Sequence, residues 1–126
     1  MEIIENEKYI EFSNVFDLLK TPDQIDWQEY AEGTSIYSRY KSESRASAAL
    51  FKSKEGIQLP RHLHTGDEHF LLLSGKIAKT WEPDNEISIA DKGDFVIAKP
   101  ETIHSVSIEE NGIVLMIFDK LNKFDL

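Results

Sequence analysis

From Ser35 onward, apolar residues come in short runs that alternate with polar positions, and glycine, proline, asparagine or aspartate interrupts them at regular intervals. That is the pattern of strands joined by tight turns. Runs at 36–40 and 45–51 flank a polar KSES turn at 41–44 and read as a hairpin. Strands at 57–64 and 68–73 follow, separated by the loop-like Thr65-Gly66-Asp67, then 76–81, a turn at 83–85, and 86–90. After the turn at 91–93 come 94–98 and 103–108, and then Asn111-Gly112, a dipeptide that tolerates positive φ in a hairpin turn, leads into 113–118. About nine or ten short strands with turn signals every eight to twelve residues describe an all-β sandwich or barrel.

Residues 1–33 carry weaker signals. Tyr9-Ile10-Glu11-Phe12 alternates as a short edge strand or as part of an arm. Asn14 is placed to cap a helical turn through Val15-Phe16-Asp17-Leu18-Leu19, which Thr21-Pro22 would end because the residue before proline disfavours α geometry. Trp27 stands alone among polar residues and is read as a lid or arm residue packing on the barrel, in preference to one that stacks on a ligand. The expected division is an N-terminal arm at 1–33, a barrel at 34–120 and a tail at 121–126. Phe70-Leu71-Leu72-Leu73 is apolar on both faces, and Leu63 also points outward, so a second copy of the chain or the arm is expected to cover the outer surface.

A length of 126 residues suits one domain, which removes roughly two thirds of its unfolded surface from water. Fourteen basic against twenty-three acidic side chains give a net charge of −9, which repels phosphate backbones and anionic lipids. Neither nucleic acid nor a membrane is expected as a partner. The longest apolar run, 113–118, is far short of the ~20 residues that span a bilayer. The acidic start MEIIENEK is unlike an export signal, so a cytoplasmic location is expected. Without cysteine there is no disulfide, thiolate metal site or cysteine nucleophile. Nor is there a glycine-rich phosphate loop, a serine nucleophile elbow or a dinucleotide fingerprint.

Three of the four histidines lie in the run GIQLPRHLHTGDEHFLLLSG at 56–75. His62 and His64 are two apart, so on a strand both imidazoles leave one face, where a metal could bridge them. Glu68 has the same parity, and a chain that turns at 65–67 can return its carboxylate to the same pocket. Asp67 is the rival carboxylate if the turn is one residue shorter. His69 has the opposite parity and should point away, as an exposed or interface histidine rather than a proton shuttle. Arg45, Tyr37 and Tyr40 lie on the preceding strands, where any could orient a substrate, though each reads first as an ordinary strand residue.

This run resembles the first motif of the cupins, a family of small β-barrels: Gly56, five residues, His62-x-His64, three residues, Glu68, six residues, Gly75. The family's second motif begins with Gly and supplies a histidine eleven residues later, and Gly93 to His104 keeps that distance in GDFVIAKPETIH. Inside it, Lys99 occupies the usual Pro position with Pro100 one step late, Glu101 the usual Gly position and Ile108 the late Asn position, so the turn before His104 is expected to differ in shape. The resemblance implies a single-domain, cupin-type jelly-roll β-barrel, or double-stranded β-helix, with an irregular N-terminal arm. It also implies a metal held by His62, His64, Glu68 and His104. Three imidazoles and a carboxylate suit one divalent ion per chain, Fe(II) first, with Zn, Mn or Ni as alternatives. Four protein ligands on a six-coordinate ion leave two positions for dioxygen, water or a bidentate substrate. No side chain is assigned as a catalytic acid, base or nucleophile. Cupins commonly dimerise, so a homodimer is expected.

Residues 25–118 further resemble the branch related to the cupin half of zinc anti-sigma factors, through Asp26-Trp27, a Gly33-led strand pair, Leu59-Pro60-Arg61-His62-x-His64 and Leu72-x-Ser74-Gly75. That branch includes sensor domains attached to a helical, zinc-holding domain, and free-standing non-haem iron enzymes that cleave carbon–carbon bonds of small diketones and aromatic ketones. This sequence shows neither a preceding helical domain nor a cysteine, and is not expected to sequester a sigma factor as the two-domain proteins do. Two functions follow from the resemblance. The first is an Fe(II) dioxygenase acting on a small-molecule substrate. The second is a non-catalytic sensor in which the same ligands hold zinc and a bound metabolite or oxidant changes the partner surface.

Overall fold

The structure, a computed structural model, describes residues 1–40 and 47–118. The turn at 41–44, Arg45, the side chain of Tyr40 and the tail at 121–126 lie outside the described residues. Strands are β1 (Glu2–Glu5), β2 (Ile10–Ser13), β3 (Gln28–Ala31), β4 (Thr34–Tyr40), β5 (Ser47–Ser53), β6 (Gln58–Leu63), β7 (Glu68–Trp81), β8 (Glu86–Asp91), β9 (Phe95–Ala98) and β10 (Ile103–Phe118). Short 3-10 turns at Val15–Leu19 and Pro22–Gln24 separate β2 from β3. β1 and β2 pair with each other. The rest form one antiparallel network in the order β3-β4-β5-β10-β7-β8, with β6 on β10 and β9 on β7.

Two expected breaks are absent. Residues 68–73 and 76–81 are one strand, β7, and the hairpin expected at Asn111-Gly112 is the middle of β10. The cause is a shared bend. β7 and β10 run antiparallel along their whole lengths, and their register slips where Glu110 pairs with Lys76 and Ile113 with Ser74. Gly75 there takes φ +92°, and a Cβ on it would lie 2.7 Å from both the Asn111 carbonyl oxygen and Gly112 Cα. The paired glycines therefore let two backbones cross closely instead of turning one chain back on itself. Asn111 serves a different turn, its Oδ1 accepting a hydrogen bond from the Glu55 N–H at 2.7 Å.

The bend converts one network into two layers. The first halves of β7 and second half of β10 pair with β9 and β5, while their other halves pair with β8 and β6. Between the layers lie Phe70, Leu72, Ile77, Ala90, Val106 and Ile108. The bend also switches inward parity along β7, from Glu68, Phe70 and Leu72 to Ile77 and Lys79.

The outer face of 71–73 is covered by the N-terminal segment, one of the two covers anticipated. Leu73, Leu50 and Ile113 pack with Leu18 and Ile25, and Met1, Ile3, Phe12 and Trp27 close over them. Trp27 is an arm residue, its Nε1–H donating to the Pro22 carbonyl at 2.7 Å while the Lys52 ammonium sits 5.0 Å from its ring. Tyr37 belongs to the same outer cluster, 6.2 Å from Phe12 between ring centroids, so it does not face the interior. Asn14 begins the Val15–Leu19 turn but makes no side-chain cap; instead its amide donates to Asp17 Oδ1 at 3.0 Å. Among the described residues no helix is long and apolar enough to cross a membrane.

Candidate metal centre

β6 lies against β10 with His62 opposite His104, and β7 flanks the other side with Trp81 opposite His104. His64 follows β6 and is tied to the loop before β10 by two backbone hydrogen bonds: its N–H donates to the Thr102 carbonyl at 2.9 Å and its carbonyl accepts from the Glu101 N–H at 2.8 Å. Glu101 holds φ +69°, a left-handed conformation at the position where the cupin pattern has glycine. The turn expected to change shape thus keeps a glycine-like backbone and delivers His104 beside His62.

The three imidazoles are buried, with 2 %, 0 % and 1 % exposure for His62, His64 and His104, and one ring nitrogen from each lies within 4.8 Å of the others. Their hydrogen bonds determine where the lone pairs point. A carbonyl can only accept, so His62 Nδ1–H donates to the Pro60 carbonyl at 2.9 Å and its Nε2 carries a lone pair. His64 Nδ1–H likewise donates to the Thr102 carbonyl and Oγ1, both at 3.1 Å, while the Thr102 hydroxyl gives its own hydrogen to the Lys99 carbonyl at 2.7 Å. His64 Nε2 is then a buried lone pair without a hydrogen-bond partner. His104 Nε2 is 2.9 Å from His62 Nε2 and must be the donor of that pair, which leaves its Nδ1 buried without a partner as well.

Burial and mutual repulsion keep His62 and His104 neutral. Burial first, then His62, His64 and Lys79, push His104 down to about 2, and burial likewise lowers His62. Lys79 is itself an unusual core residue, 3 % exposed with its ammonium 5.5 Å from the Phe70 ring centroid; burial lowers its pKa and Asp94 partly restores it. His62 and His64, whose Nδ1–H bonds turn their Nε2 lone pairs inward, and His104 Nε2, which would give up its hydrogen to Nδ1 to face a cation, are the donor set of a transition-metal site. The orphaned His64 Nε2 has the partner it lacks in a cation.

Glu68 stands beside this triad. Its carboxylate is 4 % exposed, and Oε1 is 3.6 Å from His64 Nε2. Asp67 is exposed, and His69 lies on the outer face, half-buried at 6.1 Å from Phe95. Beside the triad is a cavity of about 90 Å³ whose walls include Leu59, Phe70, Ile77, Val106 and Met116, with His62, Glu68 and His104 also lining it.

Residues 16–122 match the family described as the ChrR cupin-like domain. The chain belongs to that family. No curated protein matches it. Among solved structures, an acetylacetone dioxygenase from Acinetobacter johnsonii is similar over 98% of this chain and 81% of that one, with TM-score 0.72 and 17% identity. A RmlC-like cupin from Shewanella frigidimarina is similar over 96% of each chain, with TM-score 0.68 and 16% identity. KdgF from Halomonas sp. covers 79% of this chain and 92% of its own, with TM-score 0.66 and 20% identity. At such identities the likeness is one of fold, and it establishes the jelly-roll barrel of this cupin.

Sequence reasoning missed three contributors. Trp81 packs its ring 4.4 Å from His104 and donates through Nε1–H to Ser88 Oγ at 3.0 Å, but its inward direction depends on the bend at Gly75. Thr102 orients His64 from 38 residues away in sequence. Tyr30 lines the cavity from β3, a strand whose sequence, Gln28–Ala31, has no apolar alternation to reveal it.

Proposed function

We propose that this cupin is a mononuclear metalloenzyme of the non-haem Fe(II) dioxygenase type acting on a small molecule, with His62, His64, Glu68 and His104 holding one divalent ion per chain. The observation that carries this reading is the convergence of three buried imidazoles, two of them with tautomers fixed by Pro60 and Thr102. A divalent ion bound there supplies an electrophilic centre and, as iron, electron transfer with dioxygen. Fe(II) suits an all-nitrogen and oxygen donor set, as do Zn, Mn and Ni. The chain's own residues do the rest. The carbonyls of Pro60 and Thr102 hold two rings in orientation, Glu68 contributes negative charge beside the imidazoles, and the apolar wall keeps bulk water from the reacting end of the cavity.

The description of the matching family supports a second reading, a non-catalytic sensor whose same ligands hold zinc and whose barrel responds to a bound metabolite. The two readings separate in one experiment. Protein loaded anaerobically with Fe(II) is screened in an oxygen electrode against β-diketones and hydroxylated aryl ketones, the chelators that would present two oxygens to the ion. Oxygen consumption with at least one of them, suppressed in Glu68→Ala through disturbance of metal binding, supports the enzyme. No consumption with any chelator, together with metabolite or partner binding by the zinc form, favours the sensor.

A further inference from the structure

The cavity beside the histidines is small, about 90 Å³ against roughly 300–1,000 Å³ for pockets that take drug-sized ligands. Among the described residues its lining contains no lysine or arginine. A ligand with several negative charges would therefore find no cation among these lining residues, and most of the wall can offer only apolar contact. Among the described residues the hydroxyl-bearing ones that line it are Tyr30, Thr34 and Ser53. Thr34 Oγ1 and Ser53 Oγ lie 3.4 Å apart and are within reach of each other. Tyr30 is different. Its ring rests edge-on against Phe51 at 5.2 Å, and it is 45 % exposed, whereas His62, Glu68 and His104 are almost fully buried. It therefore forms the solvent end of a cavity whose blind end is the histidine cluster. Burial and the charge of Glu68 both raise the phenol's pKa, so at neutral pH its oxygen keeps a hydrogen to donate.

We propose that Tyr30 is a specificity-determining residue of this site: it closes the cavity toward solvent and donates a hydrogen bond to an oxygen of a small, largely apolar chelating ligand such as a β-diketone. This rests on the small-molecule reading given under the proposed function. The ligand's chelating oxygens belong beside the histidines, the one nearer the opening also accepting from the Tyr30 hydroxyl, with its hydrocarbon part against Leu59, Val106 and Met116 and its width limited by the Tyr30 and Phe51 rings.

The test uses zinc-loaded protein, which is redox-silent, with acetylacetone and the bulkier benzoylacetone as probes in isothermal titration. Tyr30→Phe keeps the ring on Phe51 and removes only the hydroxyl. It should retain zinc and melting temperature while weakening acetylacetone binding by about five- to ten-fold, the effect of one hydrogen bond. Tyr30→Ala should open the end of the cavity and shift preference toward benzoylacetone relative to acetylacetone, a change that general loss of folding would not produce. If Tyr30→Phe binds acetylacetone as the wild type does, the donor role is overturned. If Tyr30→Ala weakens both probes equally, the gating role is overturned. If the zinc-loaded wild type binds acetylacetone no better than metal-free protein, the small-chelator reading itself falls and takes the Tyr30 proposal with it.

Discussion

Stripping the metal and lowering the pH probes His62 and His104 most directly. His104 is driven from 6.5 to about 2 by burial and by its cationic and imidazole neighbours, and His62 is lowered chiefly by burial. In the unfolded chain both titrate near the ordinary value, so between that value and the depressed folded one the unfolded state binds protons that the folded state refuses. Stability contributed by the neutral rings is thus complete above about pH 6.5 and is lost as the pH falls. For His104 alone the slope approaches about 1.4 kcal/mol per pH unit, which integrates to about 2 kcal/mol between pH 7 and pH 5. His62 adds a loss of the same sign. Against a typical domain stability of about 5–15 kcal/mol this is readily measured.

The assay is urea unfolding of chelator-treated protein at pH 7, 6 and 5, followed by circular dichroism and by the fluorescence of Trp27 and Trp81. The midpoint should fall steadily with pH at constant slope in urea, and saturating zinc should oppose the loss near neutrality. His104→Leu, which fills similar space without a titratable ring, should show a shallower pH dependence. Stopping at pH 5 keeps most carboxylates out of the window. A midpoint that is flat from pH 7 to pH 5, or a His104→Leu variant with the full wild-type dependence, would refute the claim that buried neutral imidazoles govern this range.

Three further outcomes are expected. His62→Ala or His64→Ala should lower bound metal, measured by elemental analysis, and remove a metal-dependent stabilisation of roughly 2.7 kcal/mol at a hundredfold excess over the dissociation constant; His69→Ala, on the outer face, should do neither, and equal loss in all three would show the wrong site. Glu101→Gly should raise the unfolding free energy by about 1 kcal/mol, because a left-handed residue with a Cβ costs about 1–2 kcal/mol and glycine's greater unfolded-state entropy returns only part of it. Ile97 and Ile117 both pair with His69, next to Phe95, and all three apolar side chains are exposed, so we propose that a second copy covers this face. Light scattering should then give near twice 14.5 kDa at micromolar concentration, with Ile97→Lys returning the mass to 14.5 kDa; a wild-type monomer would contradict this.

The parts of the fold that were legible in the sequence are those with a local cause. Side chains alternate along a strand, so His62, His64 and Glu68 could be placed on one face and His69 on the other from spacing alone, and the burial of the first three with His69 on the outside follows that rule. The illegible parts depend on contacts between distant segments. Asn111-Gly112 carries a hairpin signal, but hydrogen bonding to β7 across the Gly75 crossing holds β10 continuous through it, and the same crossing reverses the parity that would have sent Trp81 outward. Tyr30 reaches the cavity only because β3 adds to the edge of β4, a pairing that leaves no periodic trace in four residues.

The loop before His104 shows how the two kinds of cause compete. Local chemistry argues against a left-handed turn at Glu101, since a side chain with a Cβ disfavours that conformation where the cupin pattern supplies glycine. Two backbone hydrogen bonds to His64 flank the strained residue, from Glu101 itself and to Thr102, and the Thr102 side chain adds contacts to the His64 ring and to Lys99. Each bond contributes on the order of 1 kcal/mol, enough together to outweigh a penalty of about 1–2 kcal/mol. The anchor that fixes the backbone of this loop is therefore also the group that fixes the tautomer of His64. Substituting a glycine at 101 should relax the turn without moving His104. Loss of the Thr102 hydroxyl should instead remove one of the two acceptors of His64 Nδ1–H and the bond to Lys99, leaving the ring held by the Thr102 carbonyl alone and weakening metal binding as well as the turn.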